Sequence, residues 1–162
     1  MRAAFIASFA ANIVLTLGSL AVLPERVAIH FGARGAADNW ASKETNTALL
    51  IGTHVLLFAL LIVSGRLATM LPARWVNLPN KQYWLQDANR ERARALVEAW
   101  TMRLGTALFV LLLGLGVLTV QANLSEPVRL NLRLFLPMVG LFLLYTVWWV
   151  VRFYRAFRVP AF

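Results

Sequence analysis

Two polar side chains stand inside otherwise apolar stretches of this sequence, and they are the first place where chemistry could occur. Asn12 lies near the middle of a charge-free stretch at 3–24, and His54 near the middle of another at 45–65. Hydrocarbon satisfies neither an amide nor an imidazole, so each needs a partner inside the protein. If their segments run antiparallel, the two meet at one depth. A hydrogen bond between them that fixes helix packing is the structural reading. The functional reading gives the same pair a proton relay, a quinone contact or haem ligation by His54.

A second constellation surrounds His30. Glu25, Asp38 and Glu44 lie near it in sequence and would suit an outer metal site or an enzyme if all converged. One histidine is a thin ligand set, so His30 and Phe31 are read as shaping a loop that, with Trp40, offers a docking surface. A third group is Asn80, Lys81, Tyr83 and Trp84. It reads first as an interfacial anchor and second as a contact for a partner protein or lipid headgroup. No Ser-His-Asp set, phosphate-binding glycine loop or paired span carboxylates occur; Gly114-Leu115-Gly116 has no strand before it. No cofactor, metal site or catalytic residue is expected.

The elements that must hold these groups follow from composition. The 162 residues are 60% hydrophobic and 14% charged. A soluble domain has about 45–50% apolar and about 25% charged residues. A bilayer accepts outward-facing apolar side chains that a soluble core of this size could not hide. Charge-free stretches at 3–24, 45–65, 104–125 and 134–151 are each long enough to span, which takes roughly 17–25 residues. The first is longer than a signal-peptide core of about 7–15 residues and reads as a retained span. Pro137 falls in what reads as the first turn of the fourth, where proline is tolerated.

The expected fold is therefore all-α: an integral membrane four-helix bundle, one domain over 1–162, with a short outer loop. Ala93, Leu96, Val97, Trp100 and Leu104 recur at helical spacing after Asp87, so an amphipathic cytoplasmic helix should lead unbroken into the third span. Glu91 and Arg94 are spaced to pair along it. In the outer loop, Val27, Ile29 and Phe31 alternate as in a short extended segment, and Gly32, Gly35 and Asp38-Asn39 are turn formers. Ala3, Ala7 and Ala11, and likewise Ala4, Ser8 and Asn12, give the first span two rows of small residues suited to close helix approach.

The net charge of +9 would suggest nucleic acid in a soluble chain. Here the basic residues edge the apolar runs, where they meet anionic headgroups, and nucleic acid is not expected. Arg2, seven basic residues at 66–103 and three at 152–158 lie on one side, 11 in all, against five on the other: Arg26, Arg34, Lys43, Arg129 and Arg133. The positive-inside rule then places both termini in the cytoplasm. Trp148, Trp149, Phe153, Tyr154 and Phe157 would form an aromatic belt at that face. The chain has no cysteine, which excludes disulfides and thiolate chemistry.

The stretch from Leu23-Pro24 through His30-Phe31 and Gly35 to Trp40-Ala41-Ser42-Lys43 resembles the signature of a bacterial membrane family of unknown function. That domain is also found at the start of SdpI-type bacteriocin immunity proteins. Leu78-Pro79-Asn80-Lys81-Gln82-Tyr83-Trp84 is similar to a second segment of such proteins. The resemblance implies a multi-pass protein of the bacterial inner membrane with an immunity, sensing or accessory role and no known chemistry. The leading expectation is thus a non-catalytic protein that acts by binding a partner protein or a second copy of itself. The alternative is a small-molecule or ion-handling protein built around Asn12 and His54, which requires a cavity between them.

Overall fold

The computed structural model describes residues 1–159, apart from the side chains at positions 65, 66, 69 and 73. Arg66, one of the inner-side cations counted above, has its side chain outside the described ones.

Four helices are long and apolar enough to cross a membrane. They are α1 (Arg2–Ser19), α2 (Lys43–Met70), α4 (Asp87–Asn123) and α5 (Leu132–Ala156), with a one-turn helix α3 (Lys81–Trp84) before α4. The fold is not purely helical. The segment between α1 and α2 forms an antiparallel hairpin of β1 (Arg26–Phe31) and β2 (Ala37–Ser42). The alternation in β1 was legible; in β2, Asp38-Asn39 was expected to be turn and Trp40 part of a docking loop. The hairpin stands at one end of the molecule, and both termini lie at the other.

Each boundary has a local cause. α1 stops at Ser19, short of the apolar run, because the chain tightens into turns that close with Leu23 N–H on the Ser19 carbonyl (2.9 Å). Ser42 caps α2: its hydroxyl accepts from Thr45 N–H (3.1 Å), and Glu44 adds negative charge to the first turn. α4 runs without a break for 37 residues. At about 1.5 Å per residue that is ~55 Å, against a hydrocarbon core of ~30 Å. The surplus is the polar first part of α4. Arg94 bonds Glu98 one turn on (2.9 Å) rather than Glu91, and Arg2 reaches the same carboxylate (3.3 Å). α5 begins two residues earlier than its apolar run, so Pro137 lies in its second turn, not its first.

The packing is a three-helix core with an outrigger. α1, α2 and α4 pack on one another, whereas α5 leans principally on α4 and buries none of its residues. The central position of α4 rests on glycine. A Cβ at Gly105 would lie 2.6 Å from the Phe5 ring and 3.0 Å from Leu61; one at Gly116 would lie 2.9 Å from Leu15; one at Gly114 would collide with Met138 of α5. These positions face three neighbours and let the helix axes approach closely. On α1 the inward face is Phe5, Ser8, Asn12, Thr16 and Ser19. The Ala3 and Ala7 row and Ala4 turn outward instead, contrary to the expected close-packing role; Ala11 is half-buried.

The termini end has its own core of Val76, Leu78, Trp84, Ala93, Val97, Trp100 and Phe157. Trp149 donates to the Trp100 carbonyl (2.8 Å), joining α5 to α4. Phe157, expected in an interfacial belt, is fully buried.

Candidate functional site

Asn12 and His54 do not bond to each other. Both amide hydrogens of Asn12 go to backbone carbonyls: its own Ser8 (2.8 Å) and Phe109 of α4 (2.8 Å). Oδ1 is its remaining hydrogen-bonding atom. His54 is buried; its Nδ1 makes no hydrogen bond of good geometry, and its ring interacts with the backbone of Leu50, one turn earlier in α2. The expected pair is replaced by a cavity of about 180 Å³ that both residues line, between α1, α2 and α4 and beneath the hairpin. Apolar Leu15, Leu50, Leu112 and Leu115 alternate in its wall with polar Thr16, Ser19, Asn46, Thr119 and Asn123.

Towards the termini, beyond the cavity lining, the three helices are joined by an aromatic cluster. One turn towards the termini from Asn12, His54 and Leu112 stand Phe9, Phe58 and Phe109, one from each helix, joined by Phe5. Phe58 stacks on Phe5 (centroids 5.0 Å apart) and on Phe9 (4.2 Å), while Phe109 meets Phe5 and Phe9 at 5.7 and 5.6 Å. Such clusters fill space densely.

The roof is the hairpin, and Asn123 holds it down. Ala28 N–H donates to Asn123 Oδ1 (2.6 Å), and Asn123 Nδ2 donates to the carbonyls of Ala28 (3.1 Å) and Thr119 (3.0 Å). The ladder slips register between Ala28 and His30, which brings Ile29 into the cavity lining. At the hairpin tip, Leu130 N–H donates to the Gly35 carbonyl (2.8 Å), and Arg129 donates twice to the Arg34 carbonyl (3.2 and 2.9 Å). Gly35 has φ +79°, and a Cβ there would lie 2.7 Å from the Leu130 oxygen. The two most exposed lining residues, Ile29 (40%) and Leu50 (37%), mark the mouth between hairpin and α2.

The other candidates separate from this site. His30 Nδ1–H donates to Asp38 Oδ1 (2.5 Å) across the exposed hairpin face, while Glu25 is engaged by Lys43 (2.9 Å). Only His30 and Asp38 of the proposed outer cluster therefore meet. Phe31 is half-buried at the end of β1, and Trp40 is exposed on β2. Asn80 (φ 52°) and Trp84 both donate to the carbonyl of Phe157, at 2.8 and 2.9 Å, and so tie the loop to the end of α5. Trp84 is buried, and Tyr83 packs against the same cluster, so these two serve an internal joint rather than a free contact surface. Lys81 opens α3.

Residues 7–53 match the family described as Domain of unknown function (DUF1648). The match takes in α1, the hairpin and the first turns of α2, and stops one residue before His54. It thus covers the roof and two walls of the cavity, while α4 and its Asn123 anchor lie beyond it. No curated protein and no solved structure matches the chain significantly.

Sequence reading missed Thr16, Ser19, Asn46 and Asn123. A signal existed for two of them: Thr16 and Ser19 continue the Ser8–Asn12 row at helical spacing. Asn123 carried none, since its partner is the backbone of a residue far away in the chain.

Proposed function

We propose that this chain is a non-catalytic, multi-pass protein of the bacterial cytoplasmic membrane that binds a small molecule in the cavity beneath its hairpin. The observation that carries the reading is a cavity of about 180 Å³ between α1, α2, α4 and the hairpin, lined mostly by apolar side chains with Asn12, Thr16, Asn46 and His54 among them. A mostly apolar cavity with a few convergent polar groups is the usual form of a small-molecule site. His54 is the single titratable group in the described lining, which supports binding over acid–base catalysis by paired groups. The excess of Lys and Arg at the termini end supports a hairpin on the extracytoplasmic side.

Native mass spectrometry of protein released gently from its own membrane tests the proposal. Wild type should carry a small non-lipid adduct that a cavity-filling Thr119→Phe variant lacks. An adduct retained by the filled variant, or none on a folded wild type, overturns the reading.

A second reading, association with a partner membrane protein in an accessory, immunity or sensing role, is favoured by α5. That helix buries none of its residues and leaves Leu141 (67%), Leu144 (70%) and Val147 (64%) facing outward. The likeness of the hairpin to the opening domain of SdpI-type immunity proteins points the same way. The same gentle extraction decides it, because the partner should co-migrate with wild type.

A further inference from the structure

The chemistry of the cavity narrows what can occupy it. We infer that its ligand is a neutral, ring-sized molecule carrying one hydroxyl or N–H group, seated with that group towards Asn12 and His54 and its ring against leucine. The inference rests on the small-molecule reading above and adds its chemical class.

Size comes first. A cavity of about 150 Å³ accepts benzene, and this one is about 180 Å³. One six-membered ring with a substituent fits, while a lipid chain or a nucleotide does not. Charge comes next. The described lining has no carboxylate, lysine or arginine. An ion there would lose its water and meet no counter-charge, which excludes anions and cations alike.

Hydrogen-bond polarity decides the rest. The N–H groups of Asn12 are both committed to carbonyls, so it offers the deep end an acceptor. The hydroxyl of Ser19 donates to the Thr16 carbonyl (2.8 Å), leaving lone pairs. Asn123 is occupied by the hairpin and Thr119. Neutral His54 has one donor and one acceptor nitrogen. A ligand that can donate as well as accept satisfies this set; a purely accepting or purely apolar one leaves Asn12 unanswered.

The chain contains 2 histidines, which makes the test specific. Protein with 15N-labelled histidine, held in lipid nanodiscs, gives separate ring signals for His54 at the cavity and His30 on the exposed hairpin. Phenol, its methyl ether anisole, benzoate and benzylammonium serve as probes. Phenol should move the His54 signals saturably and leave those of His30 in place. Anisole should need about tenfold more for the same shift, the value of one hydrogen bond. Benzoate and benzylammonium should leave His54 unmoved. Equal potency of anisole, or tighter binding of either ion, overturns the chemical class and leaves the cavity reading intact. No movement of His54 with any probe overturns both.

Discussion

Replacing Asn123 by alanine should loosen the hairpin without unfolding the helices. The side chain supplies the acceptor for Ala28 N–H and a donor for the Ala28 carbonyl, and Ala28 is 1% exposed. Truncation leaves a buried N–H without a partner, at about 1–3 kcal/mol, and removes one further bond worth about 1 kcal/mol. The sum is ~2–4 kcal/mol, and at ~1.4 kcal/mol per tenfold the hairpin should open roughly 30- to 700-fold more often. Hydrogen exchange read by mass spectrometry in nanodiscs checks this on peptides covering β1 and β2. Faster exchange should be confined to the hairpin and the first turn of α2. Arg129→Ala, which removes only exposed bonds to the Arg34 carbonyl, should accelerate exchange less than about fivefold. If β1 in the Asn123 variant exchanges within about threefold of wild type, Asn123 is not the anchor and the account of the roof fails. Equal acceleration along the whole chain would show that the bond supports the global fold, which also contradicts it.

Further outcomes follow from the same contacts. Gly105→Ala presses a methyl group onto Phe5, whose ring is held by Phe58 and Phe109; it should cost ~1–3 kcal/mol, seen as a lower unfolding midpoint, and an unchanged midpoint would contradict the close α1–α4 approach. Trp84→Phe keeps the ring but loses the bond to the Phe157 carbonyl, so denaturant unfolding should show a loss of about 1 kcal/mol, and no loss would remove the indole from the joint. His54→Leu removes a nitrogen that makes no hydrogen bond of good geometry and should leave ligand-free stability within about 1 kcal/mol of wild type; a fall well beyond that would mean that the imidazole's interaction with the Leu50 backbone is structural. The chain lacks cysteine, so single-cysteine variants report orientation cleanly. An impermeant maleimide on intact cells should label Asp38→Cys and spare Asn77→Cys; the reverse pattern inverts the topology.

The helices were legible because their signal is local. Length and absence of charge mark each apolar run, although α2 and α5 extend past their runs where polar residues continue the helix. The unbroken passage from Asp87 into the third span was legible for the same reason, there being no proline or other breaker between. β2 was not legible. Ala37-Asp38-Asn39-Trp40-Ala41-Ser42 has little strand propensity, and it becomes a strand by pairing with β1, which is itself pinned by Asn123, Leu130 and Arg129. Trp84 illustrates the same limit. An aromatic beside Lys81 at a membrane edge reads as an interfacial anchor, and only the return of Phe157 alongside buries it.

The sequence alone determined that this chain has four helices of spanning length, which of their ends are basic, and that Asn12 and His54 each lie near the middle of an apolar stretch. Those properties depend on residue type and on separation along one segment. Tertiary structure alone decided what the two polar residues do. Helix rotation and the close approach allowed by Gly105 and Gly116 put the Phe109 carbonyl, not His54, within reach of Asn12. A backbone carbonyl has no signature in sequence, and neither has an empty volume. The expected hydrogen bond is therefore a cavity, roofed by a hairpin that one asparagine, 95 residues away from Ala28, holds in place.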